Sequence, residues 1–178
     1  MNFRKFLIAQ SILIAASSVA FPFYLLLIKN VGDSYSQFGW AYGLFTLTAA
    51  LAYPLIGRLG DKFGDKKMLL IYTLGMAAVM LLIPLLYEVW QVYLVQIVMG
   101  LLGAIQKNTE KAFLARHNNS ETAGKQIGKY HLHVSLWSGI VIILTGYLID
   151  FLTIASLFYL ISFVYIIASF VIMKRETV

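Results

Sequence analysis

Six long apolar stretches occupy most of the sequence: Phe6 to Ile28, Phe38 to Ile56, Met68 to Tyr87, Val89 to Ile105, Tyr130 to Ile149 and Phe151 to Met173. About 20 apolar residues carry a helix across a hydrocarbon core of about 30 Å, so each stretch reads as a span. Inside a bilayer no water bonds the backbone N–H and C=O groups, which restricts spanning structure to helices and closed barrels. These unbroken runs lack the alternation of barrel strands. The chain therefore reads as an all-α integral membrane protein, one six-helix transmembrane bundle over residues 1–178. Pro22, Pro54 and Pro84 fall near the ends of the first three stretches, where a lost donor costs least or a kink is useful. Only 12% of the 178 residues are charged, against roughly 25% in soluble domains, and the apolar residues leave no segment from which a separate soluble domain could be cut.

The charges that remain are placed asymmetrically. Arg4 and Lys5 precede the first stretch, and Lys29 stands alone after it. Arg58, Lys62, Lys66 and Lys67 follow the second, and Lys107, Lys111, Arg116, Lys125 and Lys129 follow the fourth; Lys174 and Arg175 close the chain. Alternate connections thus hold 13 and 1 of the 14 basic residues. By the positive-inside rule both termini and the segments around Asp61 and Asn118 face the cytoplasm, in a cell membrane, while Gly32, Glu88 and Asp150 face outward. The net charge of +6 reads as topology and not as a nucleic-acid surface, because the basic residues form no continuous stripe. Residues 2–20 imitate a cleaved signal peptide, with Ser18-Val19-Ala20 as the cleavage site, but the apolar run continues through Ile28 and its removal would break the parity. Asn118-Asn119-Ser120 matches a glycosylation sequon on the side where no glycan is added. Cysteine is absent, which excludes disulfides and thiolate metal sites.

Between the second and third stretches stands Gly57-Arg58-Leu59-Gly60-Asp61-Lys62-Phe63-Gly64-Asp65-Lys66-Lys67-Met68-Leu69. On physical grounds Gly57 and Gly64 allow a tight turn and close helix approach, and Asp61 is a carboxylate among cations, suited to charge-assisted hydrogen bonds. The bases face an anionic leaflet, at about 1 kcal/mol each. A generic basic loop is the plainer reading of the composition. The order of residues resembles the signature G-x-L-a-D-r-x-G-r-k-x-x-l of the major facilitator superfamily: Gly57, Leu59, Asp61, Lys62, Gly64, Lys66 and Leu69 match, whereas Asp65 replaces a usual base. The resemblance implies half of a major facilitator fold, similar to its N-terminal half, in which Asp61 and its neighbours latch the cytoplasmic side of two six-helix bundles. It also implies a small-molecule solute, a bilayer, and a second copy or a second six-helix half as partner.

Departures from the family pattern narrow this. Gln96, Met99 and Gly100 stand where many members have Arg, Gln and Gly, so the arginine that often partners the motif aspartate is missing from the fourth helix. Ser138 to Tyr147 has no proline of the kind found in drug and proton antiporters. Both departures argue against a drug antiporter.

Polar residues inside spans are the candidate cavity lining, since burying them in lipid is costly. Gln96, Gly100, Gly103, Lys107 and Glu110 recur at steps of four, three, four and three and share a helix face. For the glycines close packing is the plainer reading; for Gln96 cavity lining and packing weigh equally. Lys107, Glu110 and Lys111 lie about 27 Å or more along the helix from Val89 and read as a cytoplasmic ion cluster. Gln10 is the other amide embedded in a span. His133 and Trp137, one turn apart, read as an interfacial belt or, less simply, as a pH-sensing part of the cavity. No carboxylate lies deep in a span, so a proton relay through Asp or Glu has no support. The sequence carries no zinc, nucleophile-elbow or phosphate-loop motif, hence no catalytic residue, metal site or cofactor is expected. A transporter subunit, a parallel homodimer restoring twelve helices, is the leading reading. A non-transporting scaffold, or the N-terminal half of a longer transporter, is the alternative.

Overall fold

The computed structural model describes residues 1–31, 34–117 and 123–174; Gly32, Asp33, the Asn118 sequon, Glu121 and the tail beyond Lys174 lie outside the described residues. Six helices follow one another: α1 (Phe3–Val31), α2 (Tyr35–Phe63), α3 (Asp65–Leu82), α4 (Val89–His117), α5 (Ala123–Ile149) and α6 (Ile154–Met173). All six contain stretches long and apolar enough to cross a membrane. Side-chain caps start three of them and satisfy N–H groups that a helix leaves open. Asn2 accepts from Lys5 N–H at 2.9 Å, Ser34 from Gln37 N–H at 3.3 Å, and Thr153 from Ser156 N–H at 3.2 Å.

The helices do not end where the apolar stretches end. Each of α1, α2 and α4 has 29 residues, about 44 Å at 1.5 Å per residue, more than a hydrocarbon core requires. As a result Pro22 and Pro54 sit inside helices and not near their ends. Pro84 acts as a breaker: α3 stops at Leu82 and gives way to a 3₁₀ turn over Ile83–Leu85. The signature segment is likewise helical through Phe63, and Gly64 alone separates α2 from α3. Its φ of +79° is a conformation that glycine adopts without penalty. Gly64 therefore makes the turn, while Gly57 continues the helix.

The packing has an internal repeat. α1 packs on α5 and α6 as α4 packs on α2 and α3, and α3 meets α6. Exchanging the first three helices with the last three reproduces the pattern, the 3+3 arrangement found within six-helix transporter halves. At the α2–α4 contact Gly100 lets the helices close: a Cβ there would lie 2.5 Å from the Phe45 carbonyl oxygen. Between α3 and α6, the Tyr72 and Tyr165 hydroxyls pair at 3.2 Å and Ser162 Oγ donates to the Ala77 carbonyl at 2.8 Å. Such bonds hold apolar helices together where lipid offers no hydrophobic drive. Near one end Phe6 of α1 stacks on Phe113 of α4, ring centroids 3.7 Å apart.

Candidate functional site

Two constellations can be built from the residues upward: a charged junction at one end of the bundle and a cavity within it.

The junction forms where α2 hands over to α3. Turning at Gly64 puts Asp65 in the first turn of α3, and the long α4 brings Arg116, in its last turn, alongside. A carboxylate at a helix N-terminus and a guanidinium at a C-terminus both complement the helix dipoles. Arg116 donates from Nη2 to Asp65, and its Nη1 lies 3.9 Å from Asp61. Asp65 is the better shielded carboxylate, its side chain 17% exposed against 80% for Asp61. Exposed pairs of this kind contribute roughly 0.2–1 kcal/mol each, too little to hold the fold but enough to bias two conformations.

The other signature residues stay close. Lys62 lies over the Phe63 ring at 5.7 Å, half-buried Leu59 packs on the core, and Gly57 and Gly60 face Asn108. Lys66 Nζ donates to the Met173 carbonyl at 3.2 Å and Lys5 Nζ to that of Lys174, so two lysines cap the C-terminal end of α6. Residues of α1, α2, α3, α4 and α6 thus meet at one end. Sequence reasoning missed Arg116 as a partner of the motif acids. It sought the arginine within the span, whereas it stands on the continuation of α4 past the membrane.

The cavity has a volume of about 200 Å³ and walls from α1, α2, α3, α4 and α6. Gln96 and Gly103 line it from α4, with Lys107 and Gln106 following along the same helix. Met76, Met80 and Met99 and the rings of Tyr24, Phe45 and Phe158 supply most of the remaining wall. The Tyr24 hydroxyl is buried near the Gln96 amide, and among the described residues no group lies within hydrogen-bonding distance of it. A buried donor left open costs about 1–3 kcal/mol and calls for an explanation.

The remaining residues singled out in the sequence are distributed elsewhere. Gly100 packs against the α2 backbone and does not line the cavity. Gln10 is fully buried between α1 and α4, where its carbonyl accepts from Gln106 Nε2 at 3.0 Å; its own Nε2 has no partner among the described residues. Gln106 Nε2 also donates to Glu110 at 3.3 Å, so Glu110 is held by an amide, and among the described residues no ion pair joins it to Lys107 or Lys111. His133 and Trp137 line a separate, apolar groove of about 540 Å³ between α1, α5 and α6. The structure thus separates the histidine from the Gln96 cavity. Among the described residues no cluster of His, Asp and Glu could hold a metal ion.

Comparison with known proteins agrees with this architecture. The family model described as Major Facilitator Superfamily matches residues 6–177. An uncharacterized MFS-type transporter of Bacillus subtilis (strain 168), YitZ, is 46% identical over 159 residues, which are 89% of this chain and 97% of that protein. Multidrug resistance protein MdtG of Citrobacter koseri is 36% identical over 119 residues, 64% of this chain but 29% of that protein. MdtG of Dickeya zeae is 32% identical over 153 residues, covering 82% and 37% respectively. The chain therefore spans nearly the whole of the first relative and about a third of the other two. A multi-pass membrane protein with the signature segment, the six-helix bundle and a family match along almost its entire length, the chain belongs to the major facilitator superfamily.

Proposed function

We propose that the chain is a subunit of a secondary active transporter that moves a small solute by alternating access, as a parallel homodimer in the cell membrane with both termini cytoplasmic. The observation that carries this is the Gln96 cavity, an apolar space with a few convergent polar groups inside the bundle. Its neighbours support a facing bundle. α2 and α5 are the two least buried helices, and they expose Trp40, Leu47 and Leu51 on one and Leu132, Leu136 and Ile143 on the other. Lipid can cover such faces, and so can a second bundle. Two copies would restore twelve helices around a central solute path. The segregation of basic residues opposes an antiparallel pair. The close similarity to YitZ over 97% of that protein's length fits a half-size unit.

The match to about a third of MdtG favours a second reading, a chain that acts as the N-terminal part of a longer transporter. Solute flux in liposomes and native mass spectrometry from mild detergent separate the two. Flux together with a mass of twice the chain supports the dimer. A monomer that transports would refute it, and a monomer without flux would favour the longer transporter or a scaffold.

Sidedness has its own test, which the cysteine-free background makes simple. Single cysteines at Asp61 and Lys125 should be shielded from an impermeant thiol reagent in intact cells, and cysteines at Glu88 and Asp150 should react. Labelling of Asp61→Cys and Glu88→Cys from the same side would sink the proposed topology.

A further inference from the structure

From the chemistry of the cavity walls we infer that the solute is an aromatic molecule, neutral or anionic, with a hydrogen-bond acceptor beside its ring, and that the site rejects cations. This rests on the transport reading of the same cavity and adds the class of solute. Three observations carry it.

The first is the wall itself. Met76, Met80 and Met99 stand among aromatic rings, and thioethers are polarizable, adaptable partners for the edges and faces of rings. An apolar cavity of about 150 Å³ takes up benzene. At about 200 Å³ this one has room for a somewhat larger, bicyclic ring.

The second is the open donor. The Tyr24 hydroxyl is buried, lines the cavity and has no acceptor within hydrogen-bonding distance among the described residues. Gln96, 5% exposed, adds amide hydrogens beside it. Tyr24 supplies a proton that wants an acceptor, so a solute oxygen at this point completes a bond that the described protein groups leave open.

The third is the charge. Among the described residues Lys107 is the one charged residue of the cavity walls, and no carboxylate joins it there. Glu110, one turn beyond, is engaged by Gln106. An ammonium solute would leave water for a cavity whose lining charge is of its own sign, whereas a carboxylate gains a partner.

Three probes of one shape test this: 2-naphthalenemethanol, 2-naphthoate and 2-naphthylmethylammonium. Equilibrium binding is measured on the full chain in phosphatidylcholine nanodiscs, with empty nanodiscs as background. The alcohol and the carboxylate should bind, with the ammonium weaker by about tenfold or more. Lys107→Gln should abolish the preference of carboxylate over ammonium. Tyr24→Phe, which keeps the ring, should weaken the alcohol and the carboxylate by about fivefold. Gln96→Leu should do the same. Ammonium binding as tight as carboxylate binding, an equal effect of Lys107→Gln on all three probes, or no saturable binding of any would overturn the inference. Flux of some solute by protein that binds none of the probes would defeat this site and keep the transport reading. Binding in the expected pattern without flux would keep the site and defeat transport.

Discussion

Gly100→Ala should destabilise the purified protein far more than the same change at Gly75 or Gly139, although all three glycines lie in helices. A methyl at Gly100 would meet the Phe45 carbonyl oxygen at 2.5 Å, Thr48 Cβ at 3.1 Å and Ala49 N at 3.3 Å. Two of these are backbone atoms, which no side-chain rotation can move aside, so α2 and α4 must separate along their contact. Overpacking of this kind costs typically 1–3 kcal/mol, and Gly100→Val should exceed it. At Gly75 the obstacle is the end of the Leu102 side chain, at 2.6 Å, which can change rotamer. At Gly139 nothing lies within 4 Å, so alanine there should be neutral or slightly stabilising because it is the better helix former. Unfolding scans of the three variants in one detergent give the ranking. Equal stability of Gly100→Ala and Gly139→Ala would show that the α2–α4 contact is looser than described. The same shift would displace Gln96 and Lys107, which α4 carries, so loss of solute binding should accompany the loss of stability.

That ranking was legible only in part: close packing is the plainer reading of Gly100 on the Gln96 face, but its spacing says nothing of how near the α2 backbone comes, and nothing in the sequence sets Gly75 apart from Gly139. The helices themselves were legible because hydropathy is a local property and the bilayer leaves few alternatives. Their ends were less so. The charged continuation of α2 to Phe63 reads as loop when apolarity is the guide, whereas that of α4 past Ile105 reads as helix from its spacing and is helix through His117; together these extensions bring Asp61, Asp65 and Arg116 to one place. Gln96 and Lys107 could be assigned to one helix face by spacing, and both reach the cavity. Gln10 and Glu110 also stood out by polarity, but Gln106 engages both between α1 and α4. His133 and Trp137 belong to another groove, since helical spacing says nothing about which neighbour a face meets. Tyr24 and the methionines gave no signal at all. An apolar or aromatic residue in a membrane span looks the same whether it faces lipid, a neighbouring helix or a solute.

Reversing the charge at the junction should impair transport severely, and reversing its partner as well should rescue it. Arg116→Glu places three carboxylates where α2, α3 and α4 meet, and like charges so close repel by about as much as the native pairs attract. Because the junction is partly exposed, the loss of fold stability should stay near 1 kcal/mol, and insertion and expression should remain close to normal. The transport cycle is more sensitive. A bias of 1.4 kcal/mol between two conformations changes their ratio tenfold, so loss of both contacts together with the new repulsion should lower flux by about an order of magnitude. Asp61→Asn, which removes only the contact at 3.9 Å, should change flux by less than Asp65→Asn, because Asp65 is the directly bonded and better shielded partner. The double variant Asp65→Arg with Arg116→Asp restores an ion pair in the opposite sense, though each charge then opposes its helix dipole, so rescue should be substantial but incomplete. Flux in liposomes, at low salt and again at high salt, reads all four variants. Screening should shrink the effect of Asp61→Asn most, since Asp61 is the more exposed carboxylate. A double variant no better than Arg116→Glu alone would show that Arg116 acts through a contact other than Asp65. Unchanged flux in every variant would reduce the junction to a structural detail of a basic surface.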